Sequence, residues 1–329
     1  MIGESGHRLF KATIDRYDAV VLTAHMHPDG DALGSQLGLA GFLMERGVDV
    51  TILNPDPVSD TLRFMVDPRY RVQTFDPELH VPILRDAARI ILLDNSAPDR
   101  LGSMEEAMVA NAERVLCIDH HPTRQPPWAD MILDQGSSAT AAMVYELITR
   151  QGWIPDLTAA RALFVGLATD TGFFRFNSTN AQTHRIAADL LELGVDTAAI
   201  FQAVNERNTP AYTRLLGEAL SGLRLDAGGA VVSVRIDAES QNRCDAGGVD
   251  TSEMTTPLLA IEGVRIALLF RELAGGDVKV SLRSKGDLNV HALAMQFGGG
   301  GHPNASGIVL AGELDQVVEQ VIGEAVALI

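Results

Sequence analysis

Ala19-Val-Val-Leu-Thr-Ala24 runs without a break into His25-Met-His-Pro-Asp29-Gly-Asp31, and Ala32 then opens a long apolar helical pattern. A short β-branched run, a polar turn and a helix form the first half of a βαβ unit. The pattern recurs along the next 160 or so residues. Strand-like stretches at 19–24, 48–53, 90–93 and 115–118 alternate with helical ones at 32–46, 139–151, 157–168 and 181–193. Asp156 and Asn180 stand where N-caps belong, and Asp31 is placed to cap the helix at Ala32. Such alternation predicts an α/β domain with a doubly wound, mostly parallel sheet. The strands beginning at Ala19, Ile90 and Val115 all end in polar clusters, at the carboxyl edge where open α/β sheets place ligands.

Beyond Gly194 the period changes. A polar helix over 196–208 and a break at Thr209-Pro210 precede alternating strands at 223–226, 230–236, 264–270 and 278–283. Gly228-Gly229 and Gly275-Gly276 supply turns. A helix at 289–297, a glycine run, a strand at 307–310 and a helix at 314–328 complete a smaller α+β unit. The expected organisation is a catalytic domain over 1–194, a helical hinge over 195–212 and a substrate-binding domain over 213–329, with the cleft between them.

Composition narrows the chemistry. With 43 acidic and 26 basic residues among 329, the formal charge is −17. That field repels long polyanions, so no long nucleic acid is expected as a partner. A small anion held by cations and a few arginines remains compatible. No apolar run is long enough to span a bilayer, and no membrane association is expected. Cys117 and Cys244 are the only cysteines and sit in apolar surroundings, which points to a reducing cytoplasm.

Four polar clusters carry the chemistry. His25, Asp29 and Asp31 converge on one turn; imidazole mixed with carboxylate suits manganese, zinc or iron better than a pure calcium cage. Asp94 follows the strand Ile90-Ile-Leu-Leu. Asp119-His120-His121 follows Val115-Leu-Cys-Ile, so that one histidine can ligate while the other faces substrate and Asp119 orients a ring. Asp170 ends a helical stretch. A fifth feature, Gly298-Gly299-Gly300-Gly301-His302-Pro-Asn304, can form a backbone nest for an anion. Arg283, at a strand end, offers a bidentate fork for phosphate. The spacings of dinucleotide-binding and P-loop sequences are absent.

With His25-x-x-x-Asp29-x-Asp31, Asp94, Asp119-His120-His121 and Asp170 in order, the chain resembles the DHH phosphoesterase superfamily. Ser281-x-Arg283-Ser284 and the glycine-histidine run resemble the DHH-associated C-terminal domain. Length and the histidine in the lead position are most similar to the nanoRNase/pAp phosphatase branch. The resemblance implies two divalent cations, manganese in most of the family. His25 and Asp29 would hold one, Asp31, His120 and Asp170 the other, and Asp94 would bridge them. His121 would contact the scissile phosphate or assist the leaving group, with Asp119 behind it. Arg283, Gly299, Gly300, Gly301, His302 and, less firmly, Asn304 would bind the far end of the substrate. His27 is not carried over.

The implied activity is hydrolysis of short oligoribonucleotides (nanoRNA) and dephosphorylation of 3′-phosphoadenosine 5′-phosphate (pAp), in a chain that works as a homodimer. Cleavage of c-di-AMP or its linear product pApA, pyrophosphate or polyphosphate hydrolysis, and non-catalytic nucleotide sensing stay open as rivals.

Overall fold

A computed structural model describes residues 2–122 and 126–329, and it divides the chain into two compact units, Met1–Glu206 and Arg207–Ile329. The first unit holds α1 (Glu4–Arg16), β1 (Ala19–Thr23), α2 (Gly30–Glu45), β2 (Asp49–Asn54), β3 (Val72–Thr74), α3 (Pro77–Asp86) and β4 (Ile90–Leu93). It continues with α4 (Glu105–Val109), β5 (Val115–Asp119), β6 (Asp130–Leu133), α5 (Thr140–Thr149), α6 (Leu157–Asp170), α7 (Ala181–Glu192) and α8 (Thr197–Asn205).

Its six strands pair in the order β3-β2-β1-β4-β5-β6, every pair parallel. β4 and β5 are buried along their whole length, as expected for a sheet covered on both faces. One face packs Leu22, Ile52 and Ile91 against the side of α2, α5 and α6; the other packs Leu92 and Val115 towards Leu84 of α3, Leu101 and Met108 of α4. Strand order reverses between β1 and β4, and such a switch point opens a crevice beyond the carboxyl ends of those two strands.

The spacing of α2 and α6 is set by glycines. A Cβ on Gly30 would meet Thr169 at 2.4 Å, one on Gly34 the carbonyl of Ala162 at 2.4 Å, and one on Gly38 the side chain of Leu163 at 2.5 Å. The contacts descend α6 as they climb α2, so the helices run antiparallel and nearly touch. The start of α2, carrying Asp31, therefore meets the end of α6, carrying Asp170.

The cap of α2 differs from the sequence expectation. The helix begins at Gly30, and Asp29 rather than Asp31 caps it, accepting the amides of Asp31 (2.9 Å) and Ala32 (3.0 Å). Asp31 is already the second residue of the helix and so cannot cap it. Asp156 and Asn180 do cap α6 and α7.

The second unit contains α9 (Pro210–Ser221), β7 (Arg224–Asp226), β8 (Val231–Ile236), α10 (Ala238–Arg243), α11 (Thr256–Leu259), β9 (Ile266–Glu272), β10 (Asp277–Ser284), α12 (Val290–Gln296), β11 (Gly300–His302), β12 (Ala305–Ala311) and α13 (Leu314–Val326). They form a mixed sheet in the order β11-β12-β10-β9-β8-β7, where only β8 and β9 pair in parallel. α12 and α13 cover one face, and α9 with Met254 and Leu258 covers the other. Between the units, Val195 and Ile200 are buried in the first core while Leu215 is buried in the second. Residues 195–212 thus hold α8, which belongs to the first unit, and the first residues of α9, which belongs to the second.

Candidate metal centre

β1, β4 and β5 end side by side, and each delivers polar groups to the same edge. His25 follows β1, Asp94 follows β4, and Asp119-His120-His121 closes β5. Asp94 takes a left-handed backbone conformation, φ 60°, which turns the chain sharply out of the sheet; its amide donates to the Ile118 carbonyl at 3.0 Å. Non-glycine residues held this way are concentrated at functional sites.

The histidines are oriented from behind. His25 Nδ1 lies 2.7 Å from the Met26 carbonyl, and His120 Nδ1 lies 3.2 Å from the Ser137 carbonyl. A carbonyl only accepts, so Nδ1 carries the proton and each Nε2 presents a lone pair. Both Nε2 atoms are buried and lack a hydrogen-bond partner among the described residues. Asp94 lies between them, with Oδ2 3.4 Å from His25 Nε2 and Oδ1 3.6 Å from His120 Nε2.

Around this axis two donor sets gather. His25, Asp29 and Asp94 offer atoms within 4.8 Å of one another, and so do Asp31, His120 and Asp170. His120 Nε2 is 3.4 Å from Asp170 and 3.9 Å from Asp31, while His25 Nε2 is 3.8 Å from Asp29. These gaps exceed a hydrogen bond. Two donors bound about 2.1 Å from one cation at tetrahedral or octahedral angles sit roughly 3.0–3.4 Å apart, close to what is found here.

Electrostatics points the same way. Burial, then repulsion from neighbouring carboxylates, pushes Asp31 and Asp94 well above the ordinary carboxylate range, and Asp170 is raised chiefly by burial. Burial lowers His25. A cluster of acids that is costly to ionise, beside an imidazole at His25 that burial keeps from protonating, is matched by divalent cations, which reverse the sign of the local field. The donor chemistry therefore fits metal ions.

His121 forms a third set with Asp94 and His120, its Nδ1 3.6 Å from Asp94 Oδ1. Its Nδ1 donates to Asp119 Oδ1 at 2.8 Å, and this bond raises its pKa to about 9, against the effect of burial. Asp119 is opposed by burial, but the ring and amide of His121 hold its carboxyl below the normal range.

Further groups complete the centre that the motifs alone did not reveal. α5 has no side-chain cap of its own; Asp31 accepts its first amides instead, Thr140 at 2.6 Å and Ala141 at 2.8 Å. The Thr140 hydroxyl donates to Asp94 Oδ1 at 2.9 Å. The Ser137-Ser138-Ala139-Thr140 stretch signals this only as a polar lead into a helix. The positive charge of Arg100 opposes protonation of both His25 and His121. His27, by contrast, faces solvent and pairs with Asp56.

In the second unit Arg283 sits on β10, half-buried, with no carboxylate partner among the described residues; its Nη1 donates to the Leu282 carbonyl at 3.2 Å. The glycine run is strand rather than open loop from Gly300 to His302. Added Cβ atoms on Gly299 and Gly301 would strike β12, at 2.3 Å from the Gly307 carbonyl and 2.5 Å from the Ala305 carbonyl, while Gly300 faces open space. Close strand packing accounts for two of these glycines. Asn304 donates its amide to Ser284 Oγ, Gly286 O and Leu288 O at 3.0–3.2 Å, which ties the end of β10 to the lead into α12. The His302 side chain lies outside the described residues.

Residues 19–168 match the DHH family, N-terminal domain, and residues 228–327 match the DHHA1 domain. A bifunctional oligoribonuclease and PAP phosphatase NrnA of Thermus thermophilus is 34% identical over 309 residues, 92% of this chain and 88% of that protein. The chain belongs to the DHH family. As a DHH protein it is also similar to the crystal structure of an exopolyphosphatase-related protein from Bacteroides fragilis, with TM-score 0.91 and 30% identity over 99% of this chain and 97% of that one. More distant is the cyclic-di-AMP phosphodiesterase GdpP of Geobacillus thermodenitrificans, 25% identical over 93% of this chain but only 47% of that protein. Within the DHH family the resemblance is thus strongest to the NrnA branch. No helix among the described residues is long and apolar enough to cross a membrane.

Proposed function

We propose that this chain is a metal-dependent phosphoesterase that hydrolyses short oligoribonucleotides to mononucleotides and removes the 3′-phosphate of pAp to give AMP. The observation that carries the metal-dependent reading is Asp94, whose two oxygens face two buried, unpartnered imidazole nitrogens. His25 and Asp29 would hold one divalent cation and Asp31, His120 and Asp170 a second, with Asp94 shared; manganese suits this mixture of donors. Bound there, the cations would supply water activation and neutralise charge on the phosphoryl oxygens.

The chain's own groups do the rest. The Nε2–H of His121 would donate to the leaving oxygen, and the Nδ1 bond to Asp119, which fixes the ring, supports that role. Thr140 fixes the Asp94 carboxylate. Arg283, with no carboxylate to answer it, takes the substrate's second phosphate together with the backbone of Gly299, Gly300 and Gly301 and with His302. Asn304 serves by holding that strand end in place. The acidic surface disfavours long RNA, in keeping with short substrates. A homodimer in a reducing cytoplasm completes the proposal.

The test is one panel of substrates with manganese: pAp, pApA, c-di-AMP and a five-nucleotide RNA. Release of AMP from pAp and of mononucleotides from the RNA is expected. Cleavage of c-di-AMP alone would replace this reading with the cyclic-dinucleotide one. No phosphate or nucleotide release from any substrate, by protein that binds manganese, would leave nucleotide sensing.

A further inference from the structure

Aromatic residues make up only 5% of the chain, yet Phe173, Phe174 and Phe176 crowd into Thr171-Gly-Phe-Phe-Arg-Phe176, directly after Asp170. The backbone there is unusual. Gly172, Phe173 and Phe174 are all left-handed, with φ of 55°, 55° and 69°. Two consecutive phenylalanines rarely adopt this conformation, because Cβ crowds the backbone. Thr171 holds the turn: its carbonyl accepts the amides of Arg175 (3.1 Å) and Phe176 (3.0 Å), and its hydroxyl accepts that of Phe174 (3.2 Å).

Two of the three rings anchor the loop. Phe173 packs edge-on to Phe201 at 5.1 Å, and Phe174 lies between Phe164 at 6.0 Å and His184 at 5.4 Å. Phe176 does not anchor anything. It is 49% exposed, with the Arg175 guanidinium 5.3 Å from its ring centre. The ring rests on Gly172, where any Cβ would lie 2.5–2.7 Å from its outer atoms. An exposed aromatic face is therefore seated over the backbone two residues from Asp170. Arg175 is exposed and makes no ion pair among the described residues.

A strained turn that directly follows Asp170 and presents an exposed ring and a guanidinium together suits a ligand offering both a π-face and an anion. A nucleotide offers both; inorganic polyphosphate and pyrophosphate have no π-face. We infer that Phe176 and Arg175 form a nucleotide subsite, the ring stacking on the base next to the scissile phosphate and the guanidinium taking phosphate oxygen. This deepens the proposed function and rests on it for the position of the scissile bond, but not for the binding of a base.

Three variants test it. Phe176→Trp places a reporter at the subsite, read against the parent's own two tryptophans. Without added metal, pAp is expected to quench the added emission, whereas ribose 3,5-bisphosphate, which lacks a base, leaves it unchanged. Equal quenching by both, or by neither, overturns the subsite. In turnover, Phe176→Leu keeps apolar bulk but loses the stacking face. It is expected to raise KM for pAp about tenfold and to leave KM for ribose 3,5-bisphosphate unchanged; Arg175→Gln should raise KM for both. Equal weakening of both substrates by Phe176→Leu would overturn the proposal. Absence of turnover in the parent protein would sink the phosphoesterase reading alone, since the quenching experiment still judges the subsite.

Discussion

At the carboxyl edge of the parallel sheet, His25 and His120 keep buried nitrogens without a hydrogen-bond partner, and three aspartates are raised in pKa by burial. At the glycine-histidine motif of the mixed sheet, Asn304 has its amide engaged three times over, and Gly299 and Gly301 are packed against the neighbouring strand. Both regions carry family motifs of similar clarity in the sequence. Among the described residues of these two regions only the first leaves buried side-chain nitrogens unsatisfied, and buried polar groups in native proteins are rarely left so without a reason. A motif says which residues to watch; the unpaired atom says which of them await a ligand. In the second unit Arg283 offers a half-buried guanidinium with no carboxylate partner among the described residues.

The sharpest way to break this contrast is Asp94→Asn. Hydrolysis should fall by well over a hundredfold, beyond the 10- to 100-fold typical of groups one layer behind a metal. Stability should move the other way. The raised pKa means that the ionised Asp94 destabilises the metal-free fold above the unfolded carboxylate range, about pH 4. Without metal, melting of the variant at pH 7 should therefore occur at higher temperature than in the parent, with the gain vanishing towards pH 4. Manganese should raise the melting temperature of the parent much more than that of the variant. A variant that melts lower at pH 7 without metal would show the carboxylate to be a structural bond rather than a waiting ligand.

Next in size is Gly34→Ala, whose Cβ would press on the Ala162 carbonyl. Forcing α2 from α6 should cost about 1–3 kcal/mol in denaturant unfolding. It should also weaken manganese binding measured by calorimetry, because Asp31 and Asp170 ride on those helices. Unchanged metal affinity would separate the helix contact from the centre. Arg283→Ala should raise KM about tenfold for pAp, the scale of one charge-assisted contact. It should leave stability nearly unchanged, since no carboxylate pairs with it. Equal loss on an aryl phosphate with a single phosphate would remove Arg283 from the far-phosphate role.

The smallest effect concerns Asp156. Arg69 donates to it twice and holds its pKa below normal, while it caps α6 through Ala159. A depressed acid stabilises above the unfolded pKa and loses that contribution as pH falls through the folded one. With the side chain 48% exposed, Asp156→Asn should cost under about 1 kcal/mol at pH 7, and the difference should close below pH 3.

Much of the architecture was readable because β1, β4 and β5 are short apolar runs that stop abruptly at His25, Asp94 and Asp119. Alternation of strands and helices implies a parallel sheet whose ends share one edge, while the strand order that sets β1, β4 and β5 side by side came from the structure. Other parts were hidden for physical reasons. α3 contains Pro82, which breaks its apparent period, and β3 and β6 are edge strands of three and four residues with little apolar patterning. The Gly30, Gly34 and Gly38 ladder looks like poor helix composition until α6 arrives against it. Thr140 acts on Asp94 across 46 residues, and no local pattern records such a bond. The cap of α2 was misplaced because Asp29 and Asp31 are equally good caps by type.

Asp31 reaches across 109 residues to seat the first turn of α5, and its neighbour in space, Asp170, comes later still. During synthesis, then, a ribosome must release nearly the whole of the first unit before both donor sets are complete. His25, Asp29 and Asp94 emerge early, and the last strand of the sheet ends at Leu133, but the second set waits for Asp170. A chain stalled before that residue holds every strand of the parallel sheet and only part of the centre.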